Sequence, residues 1–243
     1  MDITRAELKQ AAKKSMRGVI PHPMLVTLVY NLIPLAAFAL VALITSGTAG
    51  FLNLYHSLDS GDLAQLEAAM DTMITGPAFL VYFLQLLLSL AGLVLNTGFT
   101  WYCLDLARRR PGSFLSLFDA FYDAGRVILT GILTYIFIFL WSLLFIIPGI
   151  IAAYRYRMAF FILLDYPEVS ALEAIAMSKE MMRGHKMDLF LLDLSFIGWL
   201  LLVPFTCGIL GLWVAPYSLA SAGNFYAALN RRFTGGGPFQ EPL

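Results

Sequence analysis

Cysteine is nearly absent from this 243-residue chain, which has only Cys103 and Cys207. Once the apolar runs are laid out as membrane spans, the two fall near opposite faces. A disulfide, which needs Cα atoms within about 7 Å, is therefore not expected. Histidine is equally sparse, and His22, His56 and His185 fall in three separate connectors, so no metal site is expected. Short catalytic signatures are missing too. The chain has no His-Glu-x-x-His pair, no Gly-x-Ser-x-Gly elbow, no phosphate-binding Gly-rich loop and no His-x-x-x-x-Asp arrangement. His185 with Asp188 is too small a constellation to support catalysis. The expectation is a protein that is not an enzyme and carries no cofactor. Formal net charge is zero, so nothing calls for nucleic acid.

What the chain has in excess is apolar residues, at 59% of the sequence with a mean hydropathy of +0.76. They lie in runs near 24–44, 77–102, 127–147, 150–164, 189–206 and 209–229, separated by polar connectors. A helix rising about 1.5 Å per residue needs roughly 20 apolar residues to cross a hydrocarbon core about 30 Å thick. Runs 24–44 and 127–147 meet that length. Run 150–164 is short, so it either crosses with little tilt in a locally thinned bilayer or is re-entrant. The first run exceeds the core of roughly 7–15 residues found in cleaved signal peptides, so it reads as a retained anchor.

A further absence sets the orientation. The connector 45–76 holds Asp59, Asp62, Glu67 and Asp71 but no Lys or Arg, so it faces outward. Arg5, Lys9, Lys13, Lys14 and Arg17 precede the first span. Arg108, Arg109, Arg110 and Arg126 follow the second, Lys179, Arg183 and Lys186 the fourth, and Arg231 and Arg232 the sixth. Six spans put all of these inside, with both termini cytoplasmic. The expected fold is thus all-α, a polytopic membrane bundle of about six transmembrane helices plus short amphipathic interfacial helices. It forms one embedded domain over 1–232, with a tail over 233–243. The cytoplasmic face should attract anionic lipid head groups, at about 1 kcal/mol per nearby Lys or Arg.

Several connectors read as helices. Thr4 and Glu7 form a capping box, and Arg5, Lys9, Lys13 and Arg17 recur every four residues, predicting a cytoplasmic amphipathic helix within 1–20. It acts either as a topology anchor or as a lipid- or partner-binding element. Pro21 and Pro23 then break it. In the outer connector, Leu63, Leu66, Met70 and Met73 share one helical face. Segment 113–126 interleaves Phe114, Leu117, Phe118 and Phe121 with Asp119 and Asp123, as suits the head-group boundary. The connector 165–188 offers a cap at Asp165 with Pro167 behind it, and a second box at Ser170 and Glu173. The spacing predicts a helix over 168–183 that carries Leu172, Ile175, Ala176 and Met182 toward the membrane and ends at Gly184.

Arg155 and Arg157 are the only basic residues that orientation leaves unexplained, because they fall inside the fourth span. Such an arginine costs about 2.5–3.5 kcal/mol without water or a partner. Asp193 lies about 9 Å inside the fifth span and Arg157 about 10–12 Å inside the fourth, so an ion pair is one expectation. Snorkelling of both arginines among Tyr154 and Tyr156 is the other. Asn96, Asn224, Thr97, Ser195, Ser218 and Ser221 are placed to hydrogen-bond between helices. Pro34, Pro204 and Pro216 should kink their spans, and Pro148 with Gly149 should turn the chain between the third and fourth.

From about Trp141 onward the order of residues is distinctive. It runs Ile147-Pro148-Gly149-Ile150, Tyr154, Tyr156, Met158, Asp165, Pro167, Ala171, Glu173-Ala174-Ile175, Ser178-Lys179, Met182, Gly184-His185-Lys186. Leu194 to Trp199, Pro216-Tyr217 and Phe225-Tyr226 complete it. This stretch resembles the domain-of-unknown-function family 975 of bacterial integral membrane proteins. The resemblance implies several spans and one amphipathic cytoplasmic helix ending in Gly-His-Lys, in a bacterial cytoplasmic membrane, but no agreed activity. It also implies hydroxyl or aromatic residues where this chain has Arg155 and Arg157, so an ion pair there would be this chain's own. Ser178, Lys179, Arg183, Gly184, His185 and Lys186 are the candidates for binding a head group or a cytoplasmic partner. The same residues also serve positive-inside retention and helix capping.

The functional expectation is a non-enzymatic membrane protein that binds lipid or hydrophobic peptide, or assists an export system in envelope homeostasis. The alternatives are a transporter or transporter subunit with a polar intramembrane path, and a membrane enzyme acting on lipid. No convincing inverted repeat supports an autonomous transporter. Anionic membrane lipids, a transporter partner and a second copy of the chain are the partners considered.

Overall fold

The computed structural model of the protein describes residues 4–60, 63–65, 67, 78–110 and 112–234, with the backbone alone described over 42–60 and 78–82. Every regular element among them is helical. They are α1 (Arg5–Ser15), α2 (Pro23–Ser60), α3 (Ala78–Ala107), α4 (Ala124–Leu144), α5 (Ile146–Tyr156), α6 (Ala159–Asp165), α7 (Ala171–Met181), α8 (Lys186–Leu194), α9 (Ile197–Leu202) and α10 (Gly211–Phe233). Short 3-10 turns cover Phe114–Phe121 and Pro204–Thr206. Contacts divide the chain into one unit of Met1–Tyr30 with Leu93–Leu243 and another of Asn31–Gly92. In the second unit, Leu32, Leu35, Phe38, Leu86 and Leu87 all stand exposed. Most of the expected outer amphipathic helix, including Leu66, Met70 and Met73, lies outside the described residues, as does the tail from 235 on.

Five described stretches are long and apolar enough to cross a membrane: Pro23–Val41, Phe83–Ala107, Ala124–Leu144, Ile146–Asp165 and Lys186–Thr206. Only 11% to 44% of the most apolar window in each is buried within the protein, so their large side chains point outward, as a lipid solvent demands. Ile146–Asp165 answers the doubt about the short fourth run. Its 20 residues join α5 and α6 through a turn at Arg157 and Met158, reaching a spanning length that α5 alone lacks. The expected sixth span falls on α10, whose 23 residues measure about 34 Å but which is not among these five stretches. Its hydropathy is diluted by Ser218, Ser221, Asn224 and Asn230, because it is an internal helix. Val214, Tyr217, Ala220, Ala222, Phe225, Tyr226 and Leu229 are all buried in the main core.

Local chemistry explains where the elements start and stop. Thr4 accepts from the Glu7 amide while Glu7 accepts from the Thr4 amide, so the box that begins α1 is complete. In the 165–188 connector the box at Ser170 and Glu173 is the one that forms, so α7 starts at Ala171 and not near Glu168. Asp165 is no cap, having been drawn into an ion pair. The buried face of α7 is Ala171, Ala174, Ile175, Ser178 and Met181, which leaves Leu172 and Ala176 exposed. The turn between α4 and α5 is made by the extended residue Phe145. Pro148 falls within the first turn of α5, where a missing N–H breaks no helical bond.

Packing is closest where small residues meet backbone. A Cβ on Gly98 would fall 2.0 Å from the carbonyl oxygen of Leu117, so α3 and the 3-10 turn approach within a distance only glycine permits. That approach buries Leu117 completely, while Phe114, Phe118 and Phe121 remain outward. On the first helix, Leu8, Ala12 and Met16 enter the main core, and Asn224 of α10 donates to the Leu8 carbonyl at 3.3 Å. Lys9 donates to the Ser195 carbonyl at 3.0 Å and lies 4.2 Å from the Phe196 ring centroid. Burial lowers its ammonium below the ordinary lysine value. One member of the expected basic stripe thus holds the N-terminal helix in place.

The polar residues of the spans divide by side-chain length. Asn96 accepts from Tyr30 Oη at 3.3 Å and Asn224 reaches α1, so both bond across helices. Thr97, Ser195, Ser218 and Ser221 instead donate to carbonyls three or four residues back in their own chain segments. A short hydroxyl finds that acceptor locally and gives no interhelical glue. Pro34 and Pro216 sit inside continuous helices, whereas Pro204 opens the 3-10 turn that ends the fifth stretch.

Candidate functional site

Two charge clusters lie within the bundle. In the first, α5 ends at Tyr156 and the turn before α6 releases Arg157 toward α8, where it pairs with Asp193. Tyr154 Oη donates to the same Asp193 oxygen, Oδ2, at 3.1 Å. The Tyr154 ring meets Phe190 edge-on at 5.8 Å and lies 6.0 Å from the guanidinium carbon of Arg157. The side chains of Arg157 and Asp193 remain 37% and 27% exposed, so the pair borders a wet or lipid-facing surface. Arg155 takes no part in it. Its guanidinium carbon is 5.9 Å from the Tyr156 ring centroid, and its backbone carbonyl accepts from Ser178.

The second cluster joins residues that sequence reasoning assigned to orientation and capping. Arg108, just past α3, forms a two-pronged pair with Asp165 at the end of α6, with contacts of 2.8 and 2.5 Å. Tyr226 of α10 adds a hydroxyl to Asp165 Oδ2 at 2.9 Å. These side chains are only 12% and 6% exposed. Next to them, Tyr166 Oη donates to Asn230 at 3.2 Å. Arg126 donates to the carbonyls of Leu163 at 3.2 Å, Tyr166 at 3.3 Å and Pro167, capping carbonyls that the end of α6 leaves without helical donors. Arg108, Arg126, Asp165 and Tyr226 thus tie α3, α4, α6 and α10 at one level. The available signal was positional, since Arg108 and Asp165 both sit where a span ends on the same side.

The predicted head-group cluster is only partly assembled. Ser178 is fully buried and its Oγ donates to the Arg155 carbonyl at 3.0 Å, so it points away from any exposed ligand. Lys179 and Arg183 stand exposed, Arg183 in a loose contact with Glu180 at 3.4 Å. Such a surface pair contributes little. Gly184, with φ of +82°, turns the chain after α7 as a left-handed C-terminal glycine. His185 Nδ1 lies 3.0 Å from Asp188, within the first turn of α8. Lys186 begins α8. The cluster therefore offers exposed cations, Lys179 and Arg183, on one surface, with Ser178 turned away from them. Among the described residues, no group of three His, Cys, Asp or Glu stands ready for a metal. Cys103 is buried and Cys207 exposed, both as free thiols.

No curated protein and no solved structure matches the chain. A family model does match, over residues 143–233, and its description is "Protein of unknown function (DUF975)". The matched segment runs from the end of α4 through α10, and so contains Arg157, Asp193, Asp165, Tyr226 and the 178–186 cluster. It is this C-terminal helical segment, and not the rest of the chain, that matches the DUF975 family.

Proposed function

We propose that the protein is a non-enzymatic integral membrane protein of the bacterial cytoplasmic membrane that binds anionic lipid at a cationic cytoplasmic face. Such binding fits a role in envelope homeostasis, including support of an export system. The observation that carries this reading is the contrast between interior and surface charges. Inside the bundle, Arg108 and Arg157 are held by Asp165 and Asp193, which also accept from tyrosine hydroxyls, an arrangement that fixes helices and leaves little for reaction. Lys14, Arg17 and Arg109 instead stand exposed beside segments that enter or leave apolar spans. Cations at that level meet phosphate head groups, each worth about 1 kcal/mol of attraction. The test is extraction of the full chain in mild detergent followed by identification of retained lipids. Stoichiometric anionic lipid is expected, and retention of zwitterionic lipid alone would overturn the reading.

A second reading has its own observation. Arg157 and Asp193 meet beside breaks in two apolar stretches, at Arg157–Met158 and at Ser195–Phe196. Broken helices that carry charge at depth are how transport paths are built. A transporter subunit with this pair on its path should co-purify with a stoichiometric membrane partner, and a chain that purifies alone and conducts no solute in vesicles would end that reading.

A further inference from the structure

We propose that the ends of α1 and α3 form a specific binding groove for the phosphate head group of an anionic phospholipid. The groove has a volume of about 370 Å³ and is lined by Lys14, Ser15, Arg17, Gly18, Val19, Ile20, Arg109 and Arg110. That size falls within the range of roughly 300–1,000 Å³ typical of small-molecule sites. Four of its eight lining residues are cations and none is a carboxylate. This inference rests on the anionic-lipid reading above and gives it a location, separate from the 178–186 cluster that the sequence pointed to.

Charge bookkeeping separates a binding site from simple helix capping. Both α1 and α3 end at the groove, and each helix C-terminus carries roughly half a negative charge. The two ends together neutralise about one of the four positive charges, which leaves a field of about three. No side chain of Lys14, Arg17 or Arg109 makes an ion pair or hydrogen bond among the described residues, in contrast to neighbouring Arg108. Arg110 feels the field of Asp105, which does not line the groove.

The backbone adds an independent sign. After α3 the chain turns back, with the Arg110 amide donating to the Asp105 carbonyl at 2.9 Å and the Arg109 amide to Leu106 at 3.1 Å. This closing motif places Arg109 at φ of +57°, the left-handed position that helix ends usually give to glycine. An arginine there is sterically disfavoured, and its side chain makes no hydrogen bond or ion pair among the described residues. The residue instead lines the groove.

The surroundings select a lipid over a free anion. Ile20, on the groove rim, is 90% exposed, an arrangement that suits an acyl-chain region beside a head group. Pro23 opens the first apolar stretch three residues later, and Ala107 closes the second two residues before Arg109. The groove therefore lies where two spans leave the hydrocarbon core, at the depth of lipid phosphates.

The test uses the full chain reconstituted in mixed phosphatidylglycerol and phosphatidylcholine bilayers, extracted in mild detergent, with retained lipid counted by native mass spectrometry. Four proteins are compared: wild type, K14Q/R17Q/R109Q/R110Q, the control K179Q/R183Q/K186Q, and R109G. Each removed groove cation should weaken phosphatidylglycerol binding about fivefold, from the per-charge attraction at a membrane surface. Wild type and the control should retain the lipid and the quadruple variant should lose it. R109G should bind more weakly than wild type while melting no lower, which separates lost binding from lost folding. Equal loss in the control, or full retention by a folded quadruple variant, overturns the groove and leaves the general lipid reading standing. A wild type that retains no anionic lipid overturns both. Binding of inorganic phosphate that depends on the four cations, without lipid retention, makes the ligand a free phosphate and overturns the lipid assignment.

Discussion

Replacing Asp165 by Asn should be among the most damaging single changes in the protein. Its carboxylate receives both prongs of the Arg108 guanidinium, at 2.8 and 2.5 Å, and the Tyr226 hydroxyl at 2.9 Å, with side-chain exposures of 6% for Asp165 and 12% for Arg108. Removing the negative charge leaves a guanidinium buried without its counter-ion. Breaking such a pair costs about 3–5 kcal/mol. For a domain of this size 1 kcal/mol shifts the melting temperature by about 2–4 °C, so a fall of about 6–20 °C is expected. Arg108→Met should cost a similar amount, because it strands the carboxylate. The double variant Arg108→Met with Asp165→Leu should recover most of the loss, since apolar replacement of a whole buried pair is close to neutral. The assay is a thermal melt of each detergent-solubilised variant, closed as a double-mutant cycle. Two single variants that each cost less than about 1 kcal/mol, or a double variant as unstable as their sum, would refute the reasoning.

The partly exposed pair should behave more mildly. Asp193→Asn or Arg157→Gln should each cost about 1 kcal/mol, and the reversal D193R/R157D should restore part of it in the same melt; failure of that rescue counts against a direct interaction. Gly98→Ala should cost about 1–3 kcal/mol, because its Cβ would meet the Leu117 carbonyl at 2.0 Å, and a melt unchanged from wild type would show that the 3-10 turn can yield freely. Glu173 accepts from the Ser170 amide and hydroxyl, which holds its carboxyl below the ordinary glutamate range. Its contribution is therefore present above the unfolded glutamate value and lost as pH falls through the lower folded one. The melting difference between wild type and Glu173→Gln should narrow at acid pH, and a pH-independent difference falsifies the link.

What could be read from the sequence followed from one-dimensional rules. Apolar run lengths supplied the spans, the box at Thr4 and Glu7 supplied the first helix, and depth counted from two span ends brought Arg157 level with Asp193. The Arg108–Asp165 pair was hidden for a physical reason. Both residues sit at span ends, where orientation or capping already accounts for a charge, and the helix neighbours that join them are not encoded in hydropathy. Ser170 and Asp165 offered competing caps, and the contest was decided by tertiary pairing: Asp165 was claimed by Arg108 and Tyr226, so Ser170 took the helix. The span hydroxyls went astray in the opposite direction, since a local carbonyl satisfied each before any neighbouring helix could.

Arg108 and Arg109 show why counting cations by side is only the first step. The positive-inside rule assigns them one shared role, yet adjacent backbone conformations give them opposite energetics. Arg108 points inward to the Asp165 carboxylate, which also accepts from Tyr226, so its removal strands a buried charge. Arg109 occupies a left-handed position that costs a non-glycine residue about 1–2 kcal/mol, and its side chain makes no offsetting hydrogen bond or ion pair among the described residues. A charge needed only for orientation could stand at any nearby position without that cost. Its placement at the strained one, beside Lys14, Arg17 and Arg110, follows if the guanidinium is required in the groove itself, where a ligand phosphate supplies the offset that the protein does not.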